Sequence, residues 1–125
     1  MKRIRTAVFI IEQNVPEAEE WDGLDEVSTH FLALAEKRDT VGTARLEPTG
    51  KIGRIAVMES YRGCGIGSLL LRAAVREARR QRLDPIYMHA QTHAGAFYER
   101  HGFRRYGQPF LEAGIEHVKM RLERN

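Results

Sequence analysis

The residues of this chain best suited to chemistry lie in one stretch. Ile55-Ala56-Val57 is followed by Tyr61-Arg62-Gly63-Cys64-Gly65-Ile66-Gly67-Ser68 and then by the apolar run Leu69-Leu70-Leu71. That pattern reads as a strand entering a glycine-rich loop, which in turn opens a helix. The first turn of a helix leaves backbone N–H groups without partners, and the helix dipole puts partial positive charge there. Gly63, Gly65 and Gly67 carry no side chains to hold a ligand away, so these N–H groups can converge on an anion. Arg62 adds a fixed positive charge at the mouth. The chemistry expected is phosphate binding, above all of a diphosphate.

Spacing narrows the ligand. A Walker A loop needs a lysine next to its last glycine, and none stands between Gly63 and Ser68. A dinucleotide fingerprint needs Gly-x-Gly-x-x-Gly, whereas Gly63, Gly65 and Gly67 fall one residue short of it, although Asp84 lies at a tolerable distance beyond. A glycine-rich turn capping an ordinary βα unit is the plain structural alternative. Cys64 occupies a variable position of the loop and has no base beside it in sequence, so it reads as a small filler rather than a nucleophile.

The elements that must position this loop fit within one domain spanning residues 1–125, long enough to bury a core without staples. A hydrophobic content of 42% with 30% charged residues is that of a soluble globular chain. The single cysteine rules out an internal disulfide framework and suits a reducing compartment. The apolar run Val8-Phe9-Ile10-Ile11 ends at Glu12, too early for a signal peptide, and no run is long enough to span a membrane. A cytoplasmic protein without a membrane partner is expected. Of the 20 basic residues, 16 are arginine, a side chain that grips phosphate in a bidentate fork. Arg76, Arg79, Arg80 and Arg82 cluster where a helix should end, which favours positive charge, and no aromatics interleave with them, so no nucleic-acid partner is expected. His89, His93 and His101 lack the spacing of a metal site on the elements they occupy, so no metal is expected. His30, His89 and His117 stay as candidates for a base or an acceptor contact.

Residues 2–13 read as a short helix, ended by Asn14 and by Pro16, and residues 14–27 as an irregular polar stretch. His30–Lys37 and Val41–Glu47 read as a hairpin turning at Asp39-Thr40, with a third strand at Ile52–Met58. The helix from Ile66 shows the clearest period. Ser68, Arg72, Arg76 and Arg79 make one wet face, and Leu70, Ala73, Ala74 and Ala78 lie on the other. Leu83-Asp84-Pro85 ends it. Ile86–Ala90 should be a buried strand parallel to Ile52–Met58. A helix over Ala94–His101 capped by Gly102 follows, then a hairpin of Arg104–Pro109 with Gly114–Leu122. The order β-β-β-α-β-α-β-β implies a mixed, mostly antiparallel sheet.

A second motif, Ala94-Gly95-Ala96-Phe97-Tyr98-Glu99-Arg100-His101-Gly102-Phe103, lies downstream. Locally, Phe97 and Phe103 look like core anchors and Tyr98 like an amphipathic residue with its hydroxyl in water. Together the two segments resemble the GNAT (GCN5-related N-acetyltransferase) superfamily. Arg62, Gly65 and Gly67 match its Arg/Gln-x-x-Gly-x-Gly/Ala acyl-CoA loop. Ala94, Phe97, Tyr98, Gly102 and Phe103 match its Ala-x-x-Phe/Leu-Tyr-x-x-x-Gly-Phe segment. Gln91 stands where many relatives carry Asn. The resemblance covers residues 28–122 in element order.

It implies an α+β acyl-CoA N-acyltransferase fold with helices on both faces of the sheet, and acetyl-CoA as cosubstrate, held in a V-shaped gap between Ile52–Met58 and Ile86–Ala90. Pantetheine would pair with Ile55, Ala56 and Val57, and the diphosphate would sit on Arg62, Gly63, Cys64, Gly65, Ile66, Gly67 and Ser68, with Gln91 nearby. A primary amine, on a small molecule or a peptide, would attack the thioester directly, and Tyr98 would protonate the departing thiolate. A phenol with pKa near 10 suits that donation.

Relatives that use a glutamate base carry it ahead of the Ile-Ala-Val core, where this chain has only Lys51 and Arg54. The N-terminal block Val8-Phe9-Ile10-Ile11-Glu12-Gln13 resembles the small bacterial ElaA-like branch of the superfamily. Its acidic continuation makes Glu12 and Glu20, then Asp22 and Asp25, the candidates for a base or for a mouth that attracts cationic amines, or else a solvated loop. Trp21 would floor the acceptor pocket or cover the core. Family members begin with a strand before the first helix, whereas this chain reads as starting inside that helix. Either its start is truncated or the sheet lacks its edge strand, and a vacant edge would favour a homodimer. The alternative function is a catalytically weak acyl-CoA-binding sensor or interaction module.

Overall fold

The computed structural model describes residues 8–16, 27–35 and 39–123. Four strands, β1 (Phe9–Pro16), β2 (Val27–Leu34), β3 (Thr40–Leu46) and β4 (Ile52–Val57), form an antiparallel sheet in the order β1-β2-β3-β4. After β4 come a 3-10 turn at Glu59–Tyr61, the glycine loop and helix α1 (Ile66–Arg80). Strand β5 (Tyr87–Gln91), helix α2 (Gly95–Glu99) and the hairpin β6 (Phe103–Glu112) and β7 (Ile115–Leu122) complete the chain. The last three strands form a second antiparallel sheet in the order β5-β7-β6.

Among the described residues a single backbone bridge joins the two sheets. Lys51 bridges Tyr87 in parallel, and the Tyr87 N–H donates to the Gly50 carbonyl at 3.1 Å. Beyond that bridge β5 takes its partners from β7, so β4 and β5 diverge and leave a wedge between them. The parallel relation expected of Ile86–Ala90 and Ile52–Met58 is therefore real but limited to the apex.

Alternation along the strands decides which face is the core. A Cβ built on Gly42 would lie 2.9 Å from Leu70 and 3.1 Å from Ile66, so even-numbered residues of β3 face α1. Ala44 and Leu46 share that face, and the strand register adds Phe31, Ala33 and Ile52 to it. Helix α1 covers it with Leu70, Leu71, Ala74 and Ala78, while Arg72, Arg76 and Arg79 stay in water, as the period requires. In the second sheet Met88, Ala90, Val118, Met120 and Phe103 continue the core. Helix α2 packs on it as well, with Phe97 beside Gly67 and the Tyr98 ring 6.4 Å from that of Phe103. Both described helices thus cover one face, and the opposite face carries the polar residues that matter below.

The N-terminal segment corrects the helix expected over residues 2–13. Phe9–Gln13 belong to β1, paired from Phe9↔Leu34 onward, and residues 2–7 lie outside the described residues. A run as short as Val8–Ile11 fits either period, and the ladder to β2 satisfies its backbone groups. Ile10 packs against the core while Phe9 and Ile11 are exposed on the other face. The edge beside β2 is therefore filled rather than vacant, which removes the ground given for expecting a homodimer there. The second helix is shorter than Ala94–His101, because Thr92–Ala94 form a 3-10 turn before it, although Gly102 takes the left-handed cap at φ 89°. Strand β6 outruns the end expected at Pro109. Its register breaks between Tyr106 and Phe110, where proline can donate no ladder bond, and then resumes.

Glu77 is the buried acid of α1. Its carboxylate accepts from Arg80 Nε at 2.7 Å and Nη2 at 2.5 Å, and from Gln81 Nε2 at 2.7 Å. The Arg80 hydrogen bonds outweigh burial and hold its pKa below the ordinary 4.5. A depressed carboxylate contributes stability above its unfolded pKa and loses it as pH falls through the folded value. Glu77→Gln is expected to cost about 1 kcal/mol at neutral pH and nothing in strong acid. Urea unfolding of both proteins across that range checks it, and a pH-independent difference would contradict it.

Candidate active site

The glycine loop is held by backbone conformations that only glycine adopts without strain. Gly63 and Gly65 sit at φ 77° and 82°, and Gly65 is the N-cap of α1, with the Leu69 N–H donating to its carbonyl at 3.1 Å. No side chain caps that terminus, so the first-turn N–H groups face outward at the loop. Arg62 Nε donates to the Val57 carbonyl at 3.1 Å, tying the loop to the end of β4. The Cys64 sulfur lies 3.7 Å from the Arg62 carbonyl, a turn contact that suits a filler. A hollow of about 320 Å³ adjoins the loop, lined by its glycines and Ser68 and by Arg100 and His101 from the end of α2. Arg100 was not singled out from sequence, and His101 was weighed there only as a metal ligand. Their place two and three residues after Tyr98 was the available signal.

In the wedge the β4 backbone is distorted. Thr43 pairs with Ala56 and Arg45 with Gly53, so Arg54 and Ile55 together oppose Ala44 and form a bulge, with Arg54 at φ 53°. Thr43 Oγ1 donates to the Arg54 carbonyl at 3.3 Å. A cleft of about 740 Å³ opens here. Ile55, Ala56 and Val57 line one wall, Ala90 and Gln91 the other, with Arg62 at the mouth and Tyr98 reaching in from α2. Tyr98 is half-buried between the rings of Phe97 and Phe103, and burial pushes its hydroxyl above the ordinary 10.0, so it holds its proton at neutral pH. The cleft and the hollow at the loop share Val57, so strand, loop and phenol, separate in sequence, lie side by side.

Residues 4–124 match the family model described as an acetyltransferase (GNAT) domain. The chain belongs to the GNAT acetyltransferases. The uncharacterized N-acetyltransferase YjcF of Bacillus subtilis is 38% identical over 120 residues, covering 94% of this chain and 86% of YjcF. Protein ElaA of Escherichia coli is 35% identical over 130 residues, covering 97% of this chain and 84% of ElaA. Among solved structures, an acyl-CoA N-acyltransferase from Pseudomonas aeruginosa superposes with a TM-score of 0.70 at 33% identity, covering 86% of this chain and 77% of that one. This is an acyltransferase family that draws on acetyl-CoA and acetylates amines.

For a GNAT enzyme the open question is the base. Glu12 pairs in register with Phe31, which puts it on the α1 face, where its charge acts on Arg80 rather than in the cleft. Glu20, Trp21, Asp22 and Asp25 lie outside the described residues. His30 does not line the cleft, whereas His89 and His117 do, together with a carboxylate that sequence reasoning passed over, Glu112. His89 Nδ1 is 3.2 Å from Glu112 Oε1, and His117 Nε2 is 3.7 Å from Glu112 Oε2. The hydrogen bond from His89 is the main reason the Glu112 carboxyl lies below the usual range. Nothing local marks Glu112, because the β6–β7 register is what carries it to the two imidazoles. Among the described residues no three His, Cys, Asp or Glu side chains form a metal-binding group, and no helix is long and apolar enough to cross a membrane.

Proposed function

We propose that the protein transfers the acetyl group of acetyl-CoA to a primary amine by direct attack in a ternary complex. The observation that carries this reading is the cleft between the bulged β4 and Tyr98, which meets the hollow at the glycine loop at Val57. The diphosphate meets the N–H groups of Gly63–Ser68 beside Arg62, with Arg100 and His101 across the hollow. Pantetheine lies along Ile55–Val57 as an added strand, on the β4 edge opposite β3, beside the bulge that leaves Arg54 and Ile55 out of the β3 register. The neutral amine attacks the thioester carbonyl, and a β4 backbone N–H near Val57 holds the oxyanion. As the C–S bond breaks, its electron pair goes to sulfur, and the Tyr98 hydroxyl supplies the proton.

Calorimetric titration with CoA, ATP and NAD, followed by acetyl transfer to a panel of small and peptidyl amines, tests this. Binding of CoA alone and turnover with an acetyl-CoA KM within about 1 µM to 1 mM are expected. Tight ATP binding without CoA binding would overturn it. CoA binding with no amine acetylated would instead establish an acyl-CoA sensor.

A further inference from the structure

Lys51, which leads into β4, and Glu112, which ends β6, line the same cleft, and the Lys51 charge is one of those that hold the Glu112 carboxyl low. We propose that His89 is the group that takes the proton from the acceptor amine, with Glu112 as its positioning residue. This rests on the acetyl-transfer reading and deepens it.

Three observations carry the assignment. The first is placement. In register, Gln91 and Phe110 both face His117, and Glu112 faces Ile115, so His89, His117 and Glu112 share the sheet face away from α1. Tyr98 reaches the cleft from the α1 side, so a thioester in the wedge would lie between phenol and imidazole. The second is orientation. With Glu112 ionised, His89 Nδ1–H donates to it at 3.2 Å, which fixes the tautomer and leaves the Nε2 lone pair as acceptor. Among the described residues Nε2 has no hydrogen-bond partner, and the ring is held edge-on by Phe110 at 5.2 Å. The third is the contrast with His117. Its Nδ1–H donates to the Ile115 carbonyl at 2.7 Å, and its Nε2 lies 3.7 Å from Glu112 Oε2, turned toward the carboxylate rather than held by a hydrogen bond. That leaves His89 as the imidazole whose outer nitrogen can meet the substrate.

The protons balance. His89 Nε2 takes one from the acceptor ammonium, and Glu112 stabilises the imidazolium formed. The neutral amine adds to the thioester carbonyl, the C–S bond breaks with its electron pair on sulfur, and Tyr98 protonates the thiolate. The nitrogen's surplus proton returns to the Tyr98 oxygen, directly or through water, and the imidazolium releases its proton to solvent.

In the full chain, His89→Ala is expected to lower kcat for a strongly basic primary amine about 100-fold while CoA affinity by titration stays unchanged. Added imidazole should restore part of the rate. A weakly basic amine, already neutral at the assay pH, should lose far less. Glu112→Gln should lower kcat with the acetyl-CoA KM unchanged, and Glu112→Asp should recover part of it. Wild-type kcat in His89→Ala, or a loss that imidazole leaves untouched and that is equal for all amines, overturns the assignment while leaving acetyl transfer standing. A wild-type protein that acetylates no amine overturns both.

Discussion

Tyr98→Phe is expected to lower kcat about 100-fold while CoA binds as tightly as before. The ring supplies the packing, sitting 5.1 Å from Phe97 and 6.4 Å from Phe103, and phenylalanine keeps every one of those contacts. What the substitution removes is a hydroxyl whose pKa burial raises above 10.0, a group that is protonated at neutral pH and matched to a basic thiolate. A donor esterified to a more acidic thiol needs less help from a proton, so the deficit should shrink with such a donor. Steady-state kinetics with the two donors, beside a CoA titration, make the test. An equal deficit with both donors, or a matching loss of CoA affinity, would remove Tyr98 from the proton-donor role and leave it a packing residue.

Gly50→Ala is expected to destabilise the fold by about 2–5 kcal/mol, a large part of the roughly 5–15 kcal/mol that holds a domain together. Gly50 sits at φ 99°, and a Cβ there would lie 2.1 Å from the Pro85 carbonyl oxygen. That oxygen belongs to backbone, so the strand end must shift. The Gly50 carbonyl accepts from the Tyr87 N–H, beside the Lys51–Tyr87 bridge between the sheets. Moving it alters the angle of the wedge, so CoA affinity should fall along with stability. Gly53→Ala is the control, since its Cβ would meet nothing within 4 Å, and a change under about 0.5 kcal/mol is expected. Urea unfolding with CoA titration of both variants decides the matter. Equal stabilities would show that the apex tolerates the side chain.

Much of the site was legible in local chemistry. The glycines of the loop, the period of α1 and the Tyr98 segment announce themselves because each is a constraint on a few consecutive residues: a left-handed backbone at Gly63 and Gly65, an apolar stripe at Leu70, Ala74 and Ala78, a helix cap at Gly102. Two features had no such signature. The bulge at Arg54 puts a non-glycine residue at φ 53°, a conformation that no glycine foretold and that the pairing with β3 imposes. The N-terminal run is too short to display a period, and only its ladder to β2 makes it a strand.

By itself, then, the sequence determined the glycine loop and the helix that it opens, since propensity, periodicity and backbone freedom act over one or two turns of chain. The resemblance to the GNAT family is what implied acyl-CoA for the loop and a proton-donor role for Tyr98. Only the tertiary structure brought together the side chains proposed to serve the acceptor amine. Glu112 on β6, His89 on β5 and His117 on β7 converge through strand register, and Glu12 is carried to the other face by the same rule. Register pairs residues far apart in the chain, and a shift of one residue turns every side chain to the opposite face, so the local sequence offers His89 and His117 as candidates without showing that Glu112 lies beside them.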